Sequence, residues 1–348
     1  MADTEFRVAR AGDVALVTID NGEDYTKPTF FGEAAMASLD RALTELERGD
    51  FAAAVITGKP FFFAAGADIT EFPNITAERA REGSRAGHEL FTRLRALPFP
   101  TIAAINGACL GGGVELALHC SARTVSTSVR HFATPEVFLG LFPAWGGTQL
   151  LPGLVGPEIA IKVIVSNPLR QNRMLTGAEV ADLGIADLLL GPAEFVDESL
   201  AFARELAERS LERPEPDWTD AETVFRRART AVDDQVHGAA PAPYTALEIV
   251  RAEQWSAIST PPPRQAPLIA ATVGNGNARI RPKSSCPARL PSRAVSASMP
   301  GNSVMSAPAA KTNGFPVSTI AAKSLRSSSS STRSSDSIAP REKKVGLV

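Results

Sequence analysis

TIAAINGACLGGGVELALHC, residues 101–120, decides how this chain reads. Residues 101–105 form a short apolar and β-branched run, which suits a buried strand. Asn106 and Gly107 interrupt it, and Gly111, Gly112 and Gly113 lead into a helix to about residue 120. The glycines let backbone approach a ligand without hindrance from Cβ. They stand where unpaired helical N–H groups point outward and the helix dipole favours negative charge. Such a turn suits a phosphate or a developing oxyanion. No Gly-Lys-Ser/Thr follows, and the glycine spacing does not fit a dinucleotide fingerprint. Glu115 follows Gly112 by three residues, so it shares a helix face with that amide. A carboxylate there repels phosphate but suits proton transfer beside an enolate. The same residues would also serve as a tightly packed turn with a solvated glutamate.

Two further segments flank this one. Upstream, Phe63-Ala64-Ala65-Gly66-Ala67-Asp68 follows a strand and is small and flexible. It either packs closely or brings a second amide to the same oxygen. Downstream, Glu136 lies between Pro135 and the apolar run 137–142. A carboxylate in apolar surroundings needs a partner or has a task, because bare burial is costly; otherwise it is an exposed loop residue. Pro143 and the segment Trp145-Gly146-Gly147-Thr148-Gln149 follow.

Working outward, residues 6–10 and 14–20 alternate around Ala11-Gly12-Asp13 and predict a hairpin. Helices are expected over 33–48, 77–97, 157–165 and 177–183, with Thr76 opening the second, Pro98 ending it and Thr176 capping the last. Strands are expected at 53–57 and 123–126. Strands alternating with helices give residues 1–190 an α/β core. Residues 191–258 read as helices only (194–208, 220–232, 244–255), a region suited to packing on the core or on a neighbouring subunit.

The chain has 348 residues and a net charge of −2, but this total joins two unlike parts. Residues 1–258 carry 23 basic and 36 acidic side chains, against 13 and 2 in residues 259–348. The later stretch has 18 serines and 11 prolines, and Leu, Ile, Val and Phe fill only 15 of its 90 positions. That is too little apolar surface for a core, so a disordered tail is expected. With Phe315 as its one aromatic, the tail offers no stacking platform for nucleic acid. The acidic front disfavours nucleic acid too. No apolar run approaches a bilayer span, the acidic start does not resemble a secretory signal, and Cys109, Cys120 and Cys286 fit neither a disulfide framework nor a zinc site. A cytoplasmic protein without a metal is expected.

Together the three segments, in this order, resemble the crotonase (enoyl-CoA hydratase/isomerase) superfamily over about residues 5–258. Residues 21–28, 167–174, 184–187 and 237–244 resemble more closely the hydratase half of bacterial multifunctional β-oxidation α subunits. The resemblance implies a spiral of ββα units with a C-terminal helical region, acyl-CoA thioester substrates, and trimers or a thiolase subunit as partners. Residue by residue, it implies an oxyanion hole from the amides of Ala67 and Gly112, and two catalytic carboxylates, Glu115 and Glu136. It also implies substrate binding along Phe63, Ala64, Ala65, Gly66, Asp68 and Gly111. Coenzyme A is then part of the substrate and no separate cofactor is expected. The expected reaction is hydration of a trans-2-enoyl thioester, with Δ3–Δ2 isomerisation or acyl-CoA binding with little turnover as alternatives.

Three departures stand out. Ser121 follows Cys120 where the family usually has aspartate. Ala144 replaces a usual glycine and would be strained if its φ were positive. The resemblance stops near Trp255, where multifunctional relatives continue into a dehydrogenase, so no dehydrogenase activity is expected. Gly274-Asn275-Gly276-Asn277 lacks the third glycine of a nucleotide fingerprint, and the Ser/Pro/Arg/Ala-rich stretch 259–348 looks like translation in a shifted frame. His119, one turn after Glu115, reads as a packed helix histidine and is given no role.

Overall fold

Residues 53–161 set the architecture through a repeated strand–strand–helix unit. The computed structural model describes residues 2–259 apart from Ser210 and Glu212. A hairpin opens the chain, β1 (Glu5–Ala11) and β2 (Val14–Asp20), turning at Gly12 with φ +71°. Helix α1 (Glu33–Arg48) follows, then β3 (Ala53–Gly58), β4 (Phe62–Ala64) and α2 (Ala77–Arg95). The next unit is β5 (Thr101–Ile105), β6 (Ala108–Leu110) and α3 (Gly112–His119). The third is β7 (Ala122–Ser126), β8 (Phe132–Ala133) and α4 (Gly147–Ile161). The first strand of each unit joins one sheet, of order β1-β2-β3-β5-β7-β9, parallel except for β1. The second strand of each joins another, parallel throughout, of order β4-β6-β8. This is the expected ββα spiral.

Burial explains the strand sequences. Every residue of β3 and β5 is buried, so both read as unbroken apolar runs rather than alternating ones. Ala54, Ile56, Ala103 and Ile105 face the main core with Leu39, Leu43 and Leu46 of α1. Ala53, Val55, Ile102 and Ala104 face the other side, where Phe195, Leu200, Phe202 and Ala203 of a later helix cover them.

After α4 the helix runs on through a π turn (Lys162–Ser166) into α5 (Asn167–Leu169). Next come α6 (Gly177–Asp182), β9 (Leu188–Leu190), α7 (Phe195–Glu208), α8 (Ala221–Val236) and α9 (Ala242–Ser259). Thr176 and Glu179 form a reciprocal capping box on α6. The α4 segment corrects one expectation. Gly147–Leu169 is 23 residues long and apolar enough to span a bilayer by composition. More than half of its most apolar window is buried, and α9 packs along it. Its apolarity is that of a core helix. The expectation began this helix at residue 157, because Pro152, Gly153 and Pro157 hide its first turns. Gly156 bends it with φ +79°. The tail expected to be disordered, 259–348, falls outside the described residues save for Ser259.

Candidate active site

The three segments singled out by sequence meet at one end of the smaller sheet. Strands β4, β6 and β8 are parallel neighbours, so the turns leaving their C-terminal ends emerge side by side. Ala67 follows the end of β4 by three residues, Gly112 follows β6 by two, and Glu136 follows β8 by three.

The first turn is pinned through its backbone. Ala65 donates its N–H to Thr29 O at 2.9 Å, and Gly66 O accepts from Phe31 N at 2.8 Å. Gly66 has φ +79°, and a Cβ there would lie 2.7 Å from Gly112 N and 2.8 Å from Leu110 O. Only glycine allows this contact between the first and second turns. Among the described residues, the Ala67 N–H donates to no backbone carbonyl. Its partner across an isolated bridge, Phe31, bonds Gly66 rather than Ala67, which leaves the Ala67 N–H directed away from the bridge. Gly112 is the first residue of α3, where an N–H has no intrahelical acceptor. The two amides expected to form an oxyanion hole are therefore brought close by a turn-to-turn contact and are not consumed by the fold.

The glycines of the second turn each meet a different neighbour. A Cβ on Gly111, at φ +50°, would stand 2.9 Å from Glu136 Oε1. One on Gly112 would enter the Trp145 ring, and one on Gly113 would lie 2.4 Å from Ala64 O. The glycine run thus lets a carboxylate, an indole and a strand approach the start of α3 together.

All of α3 is buried, Glu115 included, with only 3% of that residue exposed. Glu115 Oε1 accepts two backbone N–H bonds, from Trp145 at 2.7 Å and Gly147 at 2.9 Å. Burial raises its carboxyl above the ordinary range, while the two amides oppose that rise. Glu136 sits in a 3-10 turn (Pro135–Leu139). The residue is partly exposed, yet its Oε2 is shut off from solvent and has no hydrogen-bond partner. Burial, and secondarily the Glu115 charge, raise the Glu136 carboxyl as well. Two carboxylates are therefore held near one another in unequal surroundings: Glu115 has two amide donors on one oxygen, and Glu136 has an oxygen, Oε2, with no partner.

The other expected site residues fall into place differently. Phe63 and Ala64 are fully buried in β4, so only their backbone is available to a ligand. Asp68 spends its carboxylate on Thr70, accepting from N at 2.9 Å and Oγ1 at 2.7 Å, and so caps the following turn. Ala144 is not among the residues with positive φ; Gly146 takes that conformation, with φ +110°. The strain considered for Ala144 is absent. Ser121 exchanges two hydrogen bonds of 3.1 Å with Thr101, tying the end of α3 to the start of β5. Sequence reasoning missed the Trp145 and Gly147 amides. Their one signal was the Gly146-Gly147 pair, which marks a backbone that must turn sharply and approach something closely.

Residues 10–214 match the family described as Enoyl-CoA hydratase/isomerase. The chain is 40% identical over 204 residues to a fatty acid oxidation complex subunit alpha from Shewanella loihica, covering 57% of this chain and 29% of that protein. It is 35% identical over 256 residues to the corresponding subunit from Shewanella frigidimarina, covering 71% and 36%. The chain thus spans about a third of the length of these curated relatives. Among solved structures, DspI from Pseudomonas aeruginosa superposes with a TM-score of 0.53 at 30% identity, over 74% of this chain and 98% of that one. An enoyl-CoA hydratase from Bacillus anthracis shares the fold, with a TM-score of 0.53 at 23% identity, over 74% and 92%. By sequence match and by fold, the chain belongs to the enoyl-CoA hydratase/isomerase family.

Proposed function

We propose that this chain adds water across the trans-2 double bond of an acyl-CoA thioester, using Glu115 and Glu136 beside the amides of Ala67 and Gly112. The observation that carries this reading is the inequality of the two buried carboxylates. Two amide N–H groups favour charge on Glu115. Glu136 Oε2 has no donor to stabilise a charge, so the proton of the pair resides there. One base and one acid are thereby prepared in the same site.

The thioester oxygen accepts hydrogen bonds from Ala67 N and Gly112 N. Glu115 removes a proton from water as its oxygen bonds to Cβ, and electrons move onto the thioester oxygen. Glu136 then delivers its proton to Cα and the carbonyl reforms. Water is consumed, and proton exchange with solvent returns each carboxyl to its starting state. A donor aimed at a developing oxyanion is worth about 10²–10³ in rate. Each proton-transfer role contributes about 10²–10⁴. The chemistry requires only the protein, water and the thioester substrate, whose coenzyme A portion would lie along the backbone of residues 63–66.

The test is Glu115→Gln and Glu136→Gln in the full chain, with crotonyl-CoA as substrate and loss of conjugated-thioester absorbance as readout. Each variant should lose about 10³-fold in kcat, in line with removal of a base or an acid. Turnover within about threefold of the parent in either variant would refute the assignment, since a proton-transfer role is worth at least about 10².

A further inference from the structure

His119 lies one turn beyond Glu115, and only 3% of it is exposed. Its Nδ1 is 2.8 Å from Glu115 O. A carbonyl only accepts, so Nδ1 carries the proton and donates, which fixes both tautomer and ring orientation. The far edge of the ring meets the loop that binds the Glu115 carboxylate. A Cβ on Gly146 would stand 2.7 Å from His119 Cε1 and 3.1 Å from Nε2. Gly146 is the residue between the two amide donors, Trp145 and Gly147, and it holds φ +110°. On its other sides the imidazole meets the Phe91 ring at 5.5 Å and the His88 ring at 6.4 Å.

We infer that His119 is a positioning residue: its ring is the seat on which Gly146 rests, keeping the Trp145 and Gly147 amides on the Glu115 carboxylate. The bond to Glu115 O joins this seat to the same helix that carries Glu115. Carboxylate and donors are thus referred to one rigid element, although the donors lie 30 and 32 residues further along the chain. Burial lowers the His119 pKa to about 4, and Arg95 and His88, the charged and titratable groups facing it from α2, push the same way. The ring is therefore neutral across the working range, and its role does not depend on its own titration. The inference rests on the reading of Glu115 as the base, but concerns a separate measurable property, the affinity of that carboxyl for a proton.

The test is His119→Ala and His119→Phe in the full chain, read by carbon-13 titration of labelled glutamate carboxyls. Glu115→Gln assigns the resonance. Slackening of the two amide bonds should raise the Glu115 transition by about one pH unit in His119→Ala, since hydrogen bonds to a carboxylate favour its charged form. The acid limb of the kcat profile with crotonyl-CoA should move upward with it. At a fixed pH well below the parent transition, kcat should fall about tenfold with KM unchanged, the rate equivalent of that one-unit shift. His119→Phe keeps a ring under Gly146 and should restore most of the parent behaviour. If His119→Ala does not fold, His119→Asn replaces it, because it removes the far ring edge while keeping a donor for Glu115 O. A lower Tm with an unmoved carboxyl transition would overturn the inference, as would equal shifts in the alanine and phenylalanine variants. If the parent hydrates no enoyl thioester, the proposed function fails, while the carboxyl titration still decides the role of His119.

Discussion

Glu136 is a buried carboxyl whose Oε2 lacks a partner, and such a group destabilises the fold when it ionises. Its folded pKa is raised above the ordinary 4.5. The folded state therefore holds its proton more tightly than the unfolded state, and stability is lost as pH climbs through the raised value. Glu136→Gln should accordingly melt close to the parent at about pH 4.5 and about 3 °C higher at about pH 9, a shift typical of about 1 kcal/mol in a domain of this size. Equal melting temperatures at the alkaline pH, measured by circular dichroism, would contradict the burial argument. Residue type and context singled out Glu115 and Glu136, one beside a glycine-opened helix and the other inside an apolar run, while their catalytic roles were implied by the family resemblance. The amides of Trp145 and Gly147 were not legible in the same way, because a backbone donor has no side-chain signature. The Asp68 cap was equally hidden, since an aspartate before a turn and an aspartate beside a ligand have the same letter.

Elements with a clear period were legible, and elements too short to have one were not. Helix α1 spans Glu33–Arg48 as its apolar spacing predicts. The hairpin and the capped starts of α2 and α6 also stand where expected. The strands β4, β6 and β8 contain three, three and two residues, so no alternation could announce them. They exist because neighbouring units pair them. Between elements, one buried ion pair carries much of the connection from β7 to the segment before β9. Arg123 is 3% exposed and bonds Ile185 O at 2.7 Å and Cys120 O at 3.2 Å, with Asp187 Oδ2 at 3.4 Å. Asp187 also accepts from Arg213 at 2.6 Å. Removing one partner of a buried pair leaves the other charge uncompensated, at about 3–5 kcal/mol. Asp187→Ala should lose about 3 kcal/mol in urea unfolding. A loss under about 1 kcal/mol, the scale of an ordinary hydrogen bond, would show that the carbonyls alone satisfy Arg123.

For the whole molecule, the spiral is what brings three separate turns side by side. The units place one strand each in the smaller parallel sheet, and the ends of those strands carry Ala67, Gly112 and Glu136 side by side. A sheet built from non-consecutive strands is invisible to local reading, so its existence followed from family resemblance rather than from periodicity. The charge division near residue 258 was legible from composition, and the structure of the basic stretch lies outside the described residues. The central claim is that the converging turns add water to an enoyl thioester. Its most direct measurement is mass analysis of the product formed from crotonyl-CoA in water labelled with heavy oxygen. The account predicts a 3-hydroxyacyl-CoA carrying one heavy oxygen at C3. Unchanged crotonyl-CoA, or a thioester in which the double bond has moved and no heavy oxygen has been gained, would contradict it.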